Sequence, residues 1–185
     1  YQKEEKTDKH EININLPYVN IENKDVQALN QEIINTFQAK SEEVLKNETD
    51  DIIYTVKYKA NIENKILSLI IYSDLKQGTN AQRVIIQTFN YDLEANKKLS
   101  LQEIINRYDL SKMEVQNKIN RNIQDEQKKA DELRELGYNV FSRDIKSDVY
   151  KLENATEFFI FDNNVYIVFA YGNTNMTSEL DIVII

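Results

Sequence analysis

Between residues 52 and 93 the chain carries three apolar segments in succession, 52–60 "IIYTVKYKA", 65–73 "KILSLIIYS" and 83–93 "RVIIQTFNYDL". Only the polar stretches "NIENK" and "KQGTNAQ" separate them. Alternation puts every second side chain on one face of an extended chain, and connections this short join neighbouring antiparallel strands. An antiparallel meander is therefore the spine to which the rest must attach. In its first strand Tyr54, Val56 and Tyr58 share a face, which leaves Lys57 and Lys59 to water.

The flanking segments supply partners for that sheet. Ile12, Ile14 and Leu16 alternate with Asn13 and Asn15, giving a first strand that Pro17 ends or confines to an edge. From Asp25, read as a cap, Val26, Leu29, Ile33, Phe37 and Val44 follow helical spacing and predict one long amphipathic helix. After the meander, Ser100 with Glu103 and Ser111 with Glu114 have the three-residue spacing of a capping box. The second opens another long helix, whose stripe is Val115, Ile119, Ile123, Ala130, Leu133 and Leu136 and whose stop is Gly137. Its six basic and six acidic residues cancel, so the charge of the chain lies elsewhere. Residues 138–155 read as irregular, 157–172 as a hairpin turning at 162–164, and "LDIVII" as a last strand.

These patterns predict an α+β fold, a mainly antiparallel sheet with two long helices and a C-terminal β-hairpin plus final strand. Residues 1–10, polar throughout except Tyr1, read as a linker, and 11–185 as a single domain with a candidate subdomain boundary between 11–75 and 76–185. The start at Tyr1 rather than Met reads as an excised or processed piece.

The same residues narrow the chemistry. A net charge of −8 opposes binding to a phosphate backbone, so no nucleic acid is expected, and it suits a cationic partner. No apolar run approaches the roughly 20 residues that a bilayer-crossing helix needs, so no membrane span is expected. With no cysteine there is no disulfide, thiolate metal site or thiol nucleophile. The single histidine, His10, falls in the expected linker, where nothing would hold it as a catalytic base. Gly78, Gly137 and Gly172 stand alone, so no glycine-rich phosphate loop exists. The carboxylate pairs Glu42/Glu43, Asp50/Asp51 and Asp92/Glu94 read as solvated acids and lack the spacing of a calcium loop. Sequons at Asn47, Asn154 and Asn175 carry no weight in so asparagine-rich a chain. No enzyme constellation, metal site or cofactor is expected, and recognition is the remaining reading. Tyr171 ends a strand and leads into "GNTNMTSE", whose Asn173, Asn175 and Met176 make a candidate recognition surface.

Residues 90–105, "NYDLEANKKLSLQEII", resemble the signature of the extracytoplasmic domain of the lysozyme-sensing anti-sigma factor family. Asn90, Asp92, Leu93, Lys97 or Lys98, Leu99, Ser100, Leu101 and Glu103 carry the match. Residues 12–37, a strand, a Pro-containing turn and an Asn-bearing helix, are similar to the start of that domain, and the order of elements after residue 157 is similar to its end. The same domain type precedes the catalytic domain in some peptidoglycan deacetylases. The resemblance implies a non-catalytic sensing domain on the outer side of a Gram-positive cell envelope, lysozyme as ligand, and control of an anti-sigma factor by proteolysis. It adds the loop before the third meander strand, Gln77, Thr79, Asn80 and Gln82, to the candidate contact residues. That loop reads "QGTNAQR" where family members often have Gly-Gly-Ala-His, and the loop after Tyr171 lacks the usual Ala-Pro-Tyr. The alternatives are an accessory wall-binding domain of a peptidoglycan deacetylase-like enzyme, with peptidoglycan fragments as ligand, and a secreted structural domain.

Overall fold

The computed structural model of the chain describes residues 1–47 and 51–185. Asp50 of one carboxylate pair, and Glu48 and Thr49 of the first sequon, lie outside the described residues.

The first ten residues are not a linker. Gln2–Lys6 form strand β1, paired antiparallel with β2 (His10–Asn15), and His10 is only 8% exposed. Residues 2–6 carry no apolar side chain, so no burial pattern announces β1; an edge strand needs only the backbone groups that β2 offers. Asn23, two positions before the expected cap, accepts from the Asp25 amide at 2.8 Å and opens α1 (Lys24–Ile33). The expected single helix is three segments: α1, a π-helical turn at Ile34–Gln38, and α2 (Ala39–Leu45). This helical crossover lets β3 (Ile52–Glu63) lie parallel to β2, so the sheet is mixed rather than wholly antiparallel.

The meander forms as its alternation requires, with β3, β4 (Ile66–Gln77) and β5 (Arg83–Asp92) antiparallel in order. Its first turn is only Asn64 and Lys65, at φ 48° and 62°, the left-handed pair that a two-residue hairpin needs. A short β6 (Lys97–Lys98) completes a six-stranded sheet ordered β1 to β6. A division at 75/76 would cut β4 and does not fit. Ser100 and Glu103 form the full capping box of α3 (Leu101–Arg107), and Ser111 caps α4 (Lys112–Glu135). A second sheet follows, β7 (Glu157–Phe161), β8 (Asn164–Ala170) and β9 (Leu180–Ile184), its hairpin turning on Asp162 and Asn163. The class is α+β, with a mostly antiparallel sheet.

Two cores result. Ile14, Val26, Ile33, Phe37, Tyr54 and Tyr91 pack α1 and α2 onto one face of the first sheet. Ile104, Ile119, Ile123, Ile160 and Ile167 pack α3 and α4 with the second sheet. Leu133 and Leu136, expected on the buried stripe of α4, are exposed near its end, where Gly137 turns the chain at φ 90°.

A polar seam joins the sheets. Asn61, Ser68 and Asn90 form one cross-strand row on β3, β4 and β5, beneath β7. Asn61 Nδ2 donates to the Ile160 carbonyl at 3.2 Å, and the Ile160 amide donates to Ser68 Oγ at 2.8 Å. Asn90 Nδ2 donates to the Phe158 carbonyl at 2.8 Å, and the Phe158 amide donates to Thr88 Oγ1 at 3.0 Å. Side chains of one sheet thus satisfy the open backbone edge of the other, groups that would each cost about 1–3 kcal/mol if buried without partners.

Candidate functional site

The two loops named from the sequence meet at the start of β5. Arg83 Nε donates to the Gly172 carbonyl at 3.0 Å, and the Val84 amide donates to the Thr177 carbonyl at 3.1 Å. The Asn173 side chain acts as a stub of neighbouring strand: its Oδ1 accepts from the Ile86 amide at 2.9 Å and its Nδ2 donates to the Ile86 carbonyl at 2.6 Å. The 173–177 loop is therefore bonded to the residues that follow the 78–82 loop. Thr79, Asn80 and Gln82 are exposed on one side of this clamp, and Asn175 and Met176 on the other, with Met176 75% exposed. Gln77 sits within β4, opposite Ile52.

Tyr171 is a correction. Expected as an exposed contact, it is 7% exposed and belongs to the second core. Its hydroxyl donates to Asp181 Oδ2 at 2.6 Å and lies 2.7 Å from the Tyr150 hydroxyl. Arg143 grips the same carboxylate with two nitrogens, Nε at 2.6 Å and Nη2 at 2.8 Å. The side chains of Arg143 and Asp181 are 8% and 3% exposed, so this is a fully paired buried charge. Burial, reinforced by Asp181 and Tyr150, pushes the Tyr171 phenol far above its ordinary range. Asn173 is likewise committed, since its amide is spent on β5. Of the predicted contact set, Thr79, Asn80, Gln82, Asn173, Asn175 and Met176 are exposed, with Asn173 also bonded to β5 and Gln82 to Asp74 through their side-chain amides.

Of the acids paired in the sequence, Asp92, Glu94 and Glu43 make structural bonds. Asp92 accepts from the amides of Glu94 and Ala95 and pairs with Arg107; the Ala95 bond above all holds its carboxyl below the usual range. Glu43 pairs with Lys40. Among the described residues, no group of three or more His, Asp or Glu is placed to hold a metal ion. A cleft of about 470 Å³ opens between α1, β5, the start of α3 and the start of β7. Glu157 lines it, with Oε2 accepting from the Thr88 amide at 2.6 Å and hydroxyl at 2.8 Å, and burial raises its carboxyl above the usual value.

Searches of protein-family models and of curated proteins return no match to this chain. Sequence reasoning passed over Arg143, Asp181 and Glu157. The available signal for Glu157 was two polar residues, Thr88 and Asn90, on the same face of β5 as Val84 and Ile86.

Proposed function

We propose that this chain is a non-catalytic, extracytoplasmic sensing or binding domain of a Gram-positive-type envelope protein, which takes lysozyme or another cationic protein on the joined 78–82 and 173–177 loops. The observation that supports this reading is the clamp from Arg83 and Val84 to Gly172 and Thr177, which ties the C-terminal loop to the residues directly after the 78–82 loop. A surface fixed before binding loses less entropy on association. Met176 offers an adaptable apolar contact within a polar rim, the arrangement of an energetically central residue. The net charge of −8 and the resemblance of residues 90–105 to the lysozyme-sensing family support the choice of a cationic ligand.

The test is calorimetric titration with lysozyme at about 0.01 M and about 0.15 M salt. One-to-one binding that persists at the higher salt and weakens in Met176→Ala is expected. Binding confined to the lower salt would reduce the interaction to diffuse attraction and overturn the reading; peptidoglycan fragments would then be titrated.

A further inference from the structure

The cleft of about 470 Å³ lies on a stretch of β5 edge that no strand of the described residues covers, between the Asn173 cap at Ile86 and the first β6 pairing at Tyr91. Its walls are rich in acceptors. Asp25 and Glu32 approach from α1, and Glu157 faces them from β7. Glu157 is bonded to Thr88 through Oε2, whereas Oε1 has only the Thr156 hydroxyl at 3.5 Å, the outer limit of a hydrogen bond. No salt bridge reaches Glu157 among the described residues, although Lys98 on the same cleft acts on it electrostatically. Gln87, also on the wall, keeps its side-chain oxygen buried without a partner among the described residues. Among the described residues, the one cation lining the cleft is Lys98, whose ammonium stands 5.8 Å from the centre of the Phe89 ring.

A carboxylate withdrawn from water with no direct ion pair, and only the field of Lys98 to offset it, is costly, and a donor-only cation bound in the same cavity lowers the cost. We propose that this cleft binds a primary ammonium or guanidinium group. Such a group has several N–H donors and no acceptor, which matches walls offering Glu157 Oε1 and the Asp25 and Glu32 carboxylates. The apolar part of the lining, Leu29, Phe89 and Leu99, suits the methylene stem that carries such a head group. The ligand is a free diamine or a lysine or arginine side chain of a partner chain; both present the same head group and stem. The site is separate from the loop surface and stands whether or not that surface binds lysozyme.

The experiment is amide NMR titration of the 15N-labelled chain at about 0.15 M salt, in parallel with putrescine and with an acetylated, amidated Gly-Arg-Gly peptide. Saturable shifts confined to Gln87, Thr88, Ser100 and Glu157 are expected for at least one probe, and the tighter probe identifies the source of the cation. Glu157→Gln, which keeps the Thr88 bonds, should weaken binding about tenfold or more, as for loss of a charged hydrogen bond. Glu32→Gln should weaken it less, and Glu135→Gln at the end of α4 not at all. Non-saturating shifts spread over the acidic surface would overturn the proposal, as would unchanged affinity in Glu157→Gln.

Discussion

Gly172 packs against the Val84 carbonyl so closely that a Cβ added to it would lie 1.7 Å from that oxygen and 2.6 Å from the Thr177 carbonyl. Both obstacles are backbone, so neither can swing aside. Gly172→Ala must therefore part the C-terminal loop from β5 and break the Arg83 and Val84 bonds. Gly137→Ala is the control: nothing lies within 4 Å there, and only the positive φ of 90° is strained, at about 1 kcal/mol. Limited proteolysis should cut Gly172→Ala within 173–178 well before wild type or Gly137→Ala. Equal protection of all three would show that the clamp does not depend on close approach.

Tyr171 acts through the core rather than through a ligand. Tyr171→Phe keeps the ring but leaves Asp181 and Tyr150 each short of a buried partner, so it should cost about 1–3 kcal/mol of stability in urea denaturation. Tyr171→Ala also opens a cavity and should cost about 3–5 kcal/mol. Where Tyr171→Phe remains folded, its affinity for lysozyme should equal that of wild type. A loss of affinity with unchanged stability would return Tyr171 to the contact surface.

Acid stability is set by carboxyls moved in opposite directions. Glu103 is lowered from 4.5 to about 2, first by its bond from Lys97 and then by the Ser100 amide and hydroxyl. A lowered folded value contributes stability that is present above the unfolded value and lost as pH falls toward about 2. Asp92, lowered by Ala95 and Arg107, acts with the same sign, starting from 3.8. Glu157 opposes them: burial raises it above 4.5, so its contribution is present below that pH and lost as pH rises through the raised value. Urea midpoints between about pH 2 and pH 7 should show Glu103→Gln with a shallower acid loss and Glu157→Gln with a gain at neutral pH that vanishes in acid. A Glu157→Gln curve parallel to wild type would contradict the assigned direction.

β2, the start of β3 and β9 were legible because each buries one face, and period two then fixes which side chains point inward, whereas β4, β5, β7 and β8 bury residues on both faces and were legible as short apolar runs between turns. The α3 capping box was legible because its chemistry is local. β1 was hidden because "QKEEK" buries nothing and is held by its backbone, and the parallel pairing of β2 with β3 depends on where a crossover lands. Tyr171 was misplaced for a related reason. A tyrosine at a strand end looks alike from sequence whether its hydroxyl meets water or, as here, an aspartate brought from ten residues further on. The loop surface was half legible: composition marked the loops, and only the fold could bring Gly172 to Arg83.

Asn90 and Ser68 form the centre of the seam between the two sheets. Asn90 Nδ2 holds the Phe158 carbonyl while its Oδ1 accepts from Ser68 Oγ at 2.5 Å, and Ser68 in turn accepts from the Ile160 amide. The two side chains thus share one network across the sheet junction, all of it buried. Asn90→Ala leaves the Phe158 carbonyl without its donor and should cost about 1–3 kcal/mol, and Ser68→Ala should cost a similar amount through the Ile160 amide. Because each deletion already weakens the other's partner, the double variant should lose less than the two single losses together, with a coupling of about 0.5–3 kcal/mol. Additive losses would mean that the two bonds hold β7 independently. Asn90 would then be a single anchor rather than the centre of the seam.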